Sequence, residues 1–252
     1  MKFEIFNDHF QNYKHYQIPK AQLVIADIPY NLGKNAYASS NQWYVDGDNK
    51  NGESDKANTE FFDTDKDFRI SEFMHFCNRM LIKEPKQTGK SPAMIVFCSF
   101  QQMQMVIDYG EKYGFKHAYP LIFIKKSSPQ VLKANMKIVG ATEYAVVLYR
   151  EKLPKFNNDG SMILNWMPWE RDSNDFPSIH PTQKPQSVLK RLIEIFTDRG
   201  DVVIDPCMGS GSTIRAAIEL NRNAYGFEIK KDFYRDAKNI MLKEFEVSLF
   251  DI

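Results

Sequence analysis

The chain is expected to fold as an α/β domain built on a mostly parallel sheet with helices on both faces. Three observations carry this expectation. Short strands that are apolar from end to end, such as Leu23–Ala26, Ala93–Cys98 and Val202–Ile204, alternate with segments of helical period. Two of these strands run straight into acid-bearing turns, Asp27-Ile28-Pro29-Tyr30 and Asp205-Pro206-Cys207-Met208-Gly209-Ser210-Gly211-Ser212. Ligands of open α/β sheets bind just beyond such strand ends. Finally, 252 residues suffice for one full hydrophobic core, so residues 1–252 read as a single domain.

Taken in order, Lys2–Phe6 alternates as a strand, and Leu23–Asp27 is a buried one. From Asn31 to about Lys66 the chain turns polar and irregular, an expected mobile active-site loop that nevertheless carries Tyr37, Trp43 and Tyr44. Ser71 to Ile82 places Phe73, Met74, Phe76, Cys77, Met80 and Leu81 at helical spacing, with Ser71 as expected N-cap. After the Ala93–Cys98 strand, Gln101–Tyr113 reads as a helix stopped by Gly114. Tyr119–Ile124 and Glu143–Tyr149 are further strands. About residues 150–178 read as irregular. Pro185 is expected at the first position of a helix reaching about Asp198. Strand Asp201–Asp205, helix Thr213–Asn221, strand Ala224–Ile229 and a closing helix over Lys231 to about Lys243 complete the alternation.

Composition excludes several classes. Hydrophobic residues make up 43% and charged residues 26%, an ordinary globular balance. No apolar run approaches membrane-spanning length, and Met1-Lys2-Phe3-Glu4 has no signal-peptide pattern. Cys77, Cys98 and Cys207 are odd in number and widely spaced, which argues for a reducing cytoplasm with neither a disulfide frame nor a metal site. With a net charge of +1, a polyanionic partner must be met by a local basic patch.

The first acid-bearing turn has a physical logic. Pro29 fixes its own φ and holds Ile28 extended, so Asp27 is an aimed carboxylate on a stiff strand end, with the Tyr30 ring beside it. Such a pair suits a planar, amine-bearing substrate, which the acid binds through N–H and the ring by stacking. In the second turn, Gly209 and Gly211 permit tight turning and close backbone approach before a helix N-terminus, while Glu228 ends the following strand, where an acid accepts ribose hydroxyls. This is a nucleoside-binding unit. A nicotinamide dehydrogenase fits the same spacing, but Asp205 would repel a pyrophosphate and would welcome the ammonium of a methionine moiety. No lysine follows the glycines, which excludes a P-loop.

With both turns in view, the chain resembles the β-class DNA amino-methyltransferases that use S-adenosylmethionine. Asp27-Ile28-Pro29-Tyr30 is similar to the family's Asp-Pro-Pro-Tyr, and the Asp205–Ser212 stretch to its Asp-Pro-Phe-x-Gly-Ser-Gly-Thr. His180-Pro181-Thr182-Gln183-Lys184-Pro185 matches a third signature. The resemblance spans nearly the whole chain and implies a Rossmann-like methyltransferase fold in permuted order, catalytic motif before cofactor motif. Among the departures from the pattern, Ile28 replaces a proline, at a cost in stiffness, and Cys207 replaces a phenylalanine near the cofactor.

The resemblance implies that Asp27 and the Ile28 carbonyl accept the target amine's hydrogens, with Pro29 shaping the turn and Tyr30 stacking on a base flipped from the duplex. It assigns S-adenosylmethionine to Asp8, Thr182, Lys184, Asp205, Pro206, Gly209, Ser210, Gly211, Ser212 and Glu228. Acid at position 27 favours adenine N6; cytosine-N4 enzymes of the family usually carry serine there. Alternatives are cytosine-N4 methylation, an RNA methyltransferase and, remotely, an NAD-dependent oxidoreductase. Lys125, Lys126, Lys133 and Lys137, with Lys34 in the long loop, are candidate phosphate contacts. Residues 150–178 fall where this class places target recognition. DNA is the expected partner, a homodimer the candidate assembly, and a cognate restriction endonuclease of a restriction-modification system a candidate companion.

Overall fold

The computed structural model describes residues 1–29, 68–126, 131–133, 137–180 and 183–246, with 131–133 and 246 as backbone only. The expected loop of about 31–66 therefore lies outside the described residues. Among the described residues, one sheet has eight strands: β1 (Phe3–Phe6), β2 (Leu23–Asp27), β3 (Ala93–Cys98), β4 (His117–Lys125), β7 (Thr142–Tyr149), β8 (Trp166–Trp169), β9 (Val202–Asp205) and β10 (Asn223–Phe227). Their spatial order is β1-β10-β9-β2-β3-β7-β4-β8. A small antiparallel pair, β5 (Val131–Lys133) and β6 (Ile138–Val139), stands apart.

Neighbouring strands are parallel from β1 through β3 and again between β4 and β8. Only β7 runs against its neighbours. The parallel expectation is therefore met, with one reversed strand that the sequence pattern could not single out.

Alternation of side chains across the pleat sorts the core into two layers. Leu23, Ile25, Ala93, Ile95, Phe97 and Val203 pack on one face, against α3 (Gln186–Phe196) and α4 (Ser212–Glu219). Val24, Ala26, Ile28, Met94, Val96, Cys98 and Ile204 pack on the other, against α1 (Ile70–Met80), α2 (Met103–Lys112) and the 3-10 turn Phe10–His15. Strands buried on both faces read as unbroken apolar runs for this reason.

Several boundaries differ from expectation. Helix α1 begins at Ile70, so Arg69 rather than Ser71 is its N-cap. Pro185 is the N-cap of α3, one position before the helix it was expected to open. The segment of about 150–178 is not wholly irregular: Trp166–Trp169 forms edge strand β8, paired with β4. A four-residue Trp-Met-Pro-Trp run has too little alternation to announce itself, and its proline suits an edge. The closing helix is interrupted as well, running as α5 (Lys231–Asp236), a π-helical segment Ala237–Met241 and α6 (Lys243–Glu246).

Candidate active site

Strands β2 and β9 are neighbours in parallel register, with Leu23 opposite Val203 and Val24 opposite Ile204. The helices leaving their carboxyl ends cover opposite faces of the sheet, so this is the switch point where a crevice opens. Asp27 ends β2, Asp205 ends β9, and Glu228 directly follows β10. Asp27 shares the parity of Leu23 and Ile25, and Asp205 that of Val203, so both carboxylates face the α3/α4 side. Two motifs distant in sequence thus meet at one edge of the sheet.

The glycine turn is held by its own backbone. Gly209 and Gly211 have φ of 49° and 77°, left-handed values that favour glycine. The Met208 amide donates to the Phe227 carbonyl (2.9 Å) and the Gly211 amide to that of Met208 (2.8 Å). Glu228 accepts from the Gly209 amide (3.0 Å) through one oxygen and from the Lys230 amide (2.7 Å) through the other. The Ile229 amide also bonds this carboxylate, which still keeps lone-pair capacity for a ligand hydroxyl. Ser210 and Ser212 share a 2.7 Å hydrogen bond, and Gln186, at the start of α3, donates to the Ser212 carbonyl (3.0 Å).

Asp205 is 3% exposed. Burial pushes its carboxyl up to about 7; the Thr213 hydroxyl and the Cys207 amide (2.9 Å) oppose the shift, and the nearby charges of Asp27 and Glu228 add to it. A buried acid so disposed gains from an arriving cation. Glu228 is likewise raised by burial, against the amides it accepts. A glycine-lined turn, a buried acid in need of a cation and a carboxylate with spare lone pairs together fit the adenosine and methionine parts of S-adenosylmethionine.

The Asp27–Pro29 turn is held by other elements. The Ile28 amide donates to the Phe97 carbonyl (3.2 Å), extending the β2–β3 ladder by one residue. The Pro29 carbonyl accepts from Gln102 Nε2 (3.0 Å). Asp27 Oδ2 accepts from the ammonium of Lys184, which is 8% exposed and lies 5.3 Å from the Phe97 ring centroid and 5.8 Å from that of Trp169. Lys184 lies just before α3, and its neighbour Gln183 donates to the Pro177 carbonyl (2.8 Å). Asp172 accepts from the Gln186 amide (2.8 Å) where α3 begins. His180 lies over Gly209, whose Cβ would stand 3.7 Å from the imidazole. Burial first, then Lys184 and Lys230, pull its imidazole down to about 4, so it is neutral at pH 7.

The structure brings together Asp27, Ile28, Pro29, Lys184, Asp205, Pro206, Gly209, Ser210, Gly211, Ser212 and Glu228. Lys184 and Asp27 form an ion pair. Asp8, at the end of β1, spends its carboxylate on the His9 amide (2.7 Å), Asn12 (2.7 Å) and the Tyr16 hydroxyl (2.8 Å). Tyr30, Lys34 and Thr182 lie outside the described residues, as does the Lys133 side chain. Lys125 is tied to Glu143 and lies 5.1 Å from the Trp169 ring centroid, whereas Lys126 is exposed and Lys137 sits on an exposed turn. Cys207 is raised well above the usual thiol range by burial, which suits packing and not a nucleophile. Gln102 and Trp169 were missed as site residues. The spacing Ser99-x-x-Gln102 is a helix-start signature, but nothing in it announces the reach to Pro29.

Comparison with known proteins agrees with this geometry. The family described as DNA methylase, of N6/N4 type, matches residues 21–239. The type II methyltransferase M.MjaI of Methanocaldococcus jannaschii is 31% identical over 160 residues, 54% of this chain and 52% of that protein, so the match spans about half of its length. The DNA adenine methyltransferase YhdJ of Escherichia coli K12 is 26% identical over 251 residues, 92% of this chain and 79% of YhdJ. The crystal structure of the M1.HpyAVI–SAM complex superposes with a TM-score of 0.68 at 22% identity, covering 94% of this chain and 98% of that one. With a family match over residues 21–239, the chain belongs to the DNA methylase family of S-adenosylmethionine-dependent amino-methyltransferases.

Proposed function

We propose that this chain, acting as a single domain, transfers a methyl group to the N6 amine of adenine in DNA. The observation that carries the reading is the meeting of Asp27 with Asp205 and Glu228 at adjacent strand ends. One acid faces a substrate amine and two face a cofactor. Acid rather than serine at position 27 supports adenine, as does the resemblance to an adenine methyltransferase over most of the chain.

An exocyclic amine on a purine is a weak nucleophile because its lone pair is delocalised into the ring. Asp27 and the Ile28 carbonyl accept its two hydrogens, drawing the nitrogen out of conjugation and aiming its lone pair. Bound S-adenosylmethionine supplies a methyl on a cationic sulfur, which keeps the C–S electron pair as the new C–N bond forms. Asp27 offsets the charge on nitrogen until the surplus proton leaves to solvent. Asp205 would hold the methionine ammonium and Glu228 the ribose hydroxyls, with Ser210 and Ser212 lining the cradle; Thr182 is assigned to the cofactor by the family resemblance alone. Extrusion of the base gives Tyr30 its stacking role. Among the candidate lysines whose side chains are described, Lys126, exposed and 3.7 Å from Glu170, and Lys137 are the ones that meet phosphates.

The test is transfer of label from S-adenosylmethionine to unmethylated DNA by the native chain and by Asp27→Ala, followed by mass analysis of nucleosides. N6-methyladenine that disappears in the variant is expected. Label in N4-methylcytosine would overturn the base, and label that survives in Asp27→Ala would overturn the mechanism.

A further inference from the structure

We infer that Gln102 is a positioning residue for methyl transfer: a side-chain latch, reaching from the end of β3, that sets the orientation of the Ile28 carbonyl. The inference rests on the reading of Asp27 and Ile28 as the amine acceptors.

Gln102 is 7% exposed and its amide has two fixed neighbours. Oε1 accepts from both the Ser99 amide and the Ser99 hydroxyl, each at 3.1 Å. A backbone N–H can only donate, so the amide cannot be flipped, and its NH₂ must face the Pro29 carbonyl 3.0 Å away. The Ile28 amide is anchored to Phe97 on the same β3 end. The peptide planes on both sides of the Ile28 carbonyl are therefore pinned, and the Pro29 ring limits rotation between them. The family's pattern stiffens this turn with a proline where this chain has Ile28. Ile28 instead buries its side chain in the core on the α1/α2 face, and Gln102 restores the stiffness from outside the motif. The carbonyl at issue must meet a hydrogen, and a misplacement of about 1 Å can cost about 100-fold in rate.

The test compares Gln102→Ala and Gln102→Glu with the native chain, using unmethylated genomic DNA and calorimetry of S-adenosylmethionine binding. Gln102→Ala is expected to lower kcat about 10- to 100-fold while the cofactor Kd stays within about twofold. Gln102→Glu is the sharper variant. Its carboxylate faces the Pro29 carbonyl with no proton to offer, but its neutral acid can donate. Its rate relative to native should therefore rise as pH falls toward the carboxyl range, while that of Gln102→Ala stays flat. Unchanged kcat in Gln102→Ala, cofactor affinity lost in step with turnover, or a flat Gln102→Glu ratio would each overturn the latch. If Asp27→Ala also transfers normally, the underlying reading falls with it; if Asp27→Ala is inactive and Gln102→Ala is normal, the latch alone falls.

Discussion

The two halves of the crevice are held by different means. The cofactor side, from Asp205 to Glu228, is a local construction: strand, glycine turn, helix and strand within some two dozen residues, bonded largely through backbone amides and carbonyls. The catalytic side is assembled from afar. Asp27 leans on Lys184, Pro29 on Gln102 and Ile28 on Phe97. A site for one invariant cofactor can be rigid and self-contained. A site that must also admit a base draws its supports from separate elements: an ion pair, a fixed side-chain amide and a backbone bond. That contrast predicts that changes on the two sides separate binding from turnover.

The largest effect is expected at Asp27. Asp27→Ala should reduce transfer about 100-fold or more with little change in cofactor affinity, as read by single-turnover transfer and calorimetry. Next comes the cofactor turn, through Gly226 of β10. A Cβ there would stand 2.6 Å from Met208 Sδ and 3.0 Å from Ile214 Cδ1. Gly226→Ala should displace the turn, cost about 1–3 kcal/mol by denaturant unfolding and weaken cofactor binding. Lys184→Met sharpens the comparison further. An ammonium serving Asp27 predicts a fall of about tenfold in kcat with Kd nearly constant; a Kd that moves instead would assign Lys184 to the cofactor.

Asp205 gives the comparison a pH signature. With its carboxyl at about 7 against about 3.9 when unfolded, the folded protein binds the extra proton. The stability from this group is full below about 4 and is lost as pH rises through about 7. A docking ammonium favours the ionised form, so cofactor binding should release a proton and tighten from pH 6 to 8. Titrations in buffers of different ionisation enthalpy measure that release; affinity that falls over this window would refute the role. The smallest effect is expected among the lysines. Lys126→Ala should weaken DNA binding and lower its salt slope by about 1, whereas Lys125, already paired with Glu143, should matter through packing of Trp169.

How much of this was legible in the sequence follows the same division. Leu23–Ala26 and Ala93–Cys98 are buried on both faces, and such strands declare themselves as apolar runs. The Asp205–Ser212 turn and Glu228 lie within one local unit, so spacing alone located them. Strand β8 did not declare itself, because its Trp-Met-Pro-Trp run takes its identity from pairing with β4. The lodging of Lys184 on Asp27 and the reach of Gln102 to Pro29 span 157 and 73 positions, and no periodicity encodes such contacts. Asp8 sits at the expected strand end but gives its carboxylate to His9, Asn12 and Tyr16, a local use that competes with ligand binding.

The most direct test of the division of labour is a paired calorimetric titration of S-adenosylmethionine into Asp27→Ala and Asp205→Asn. Native-like affinity is expected in Asp27→Ala, and binding weakened at least about tenfold in Asp205→Asn, for the loss of a charge-assisted contact. Equal losses in both variants would contradict that division, since the two strand ends would then form a single binding site.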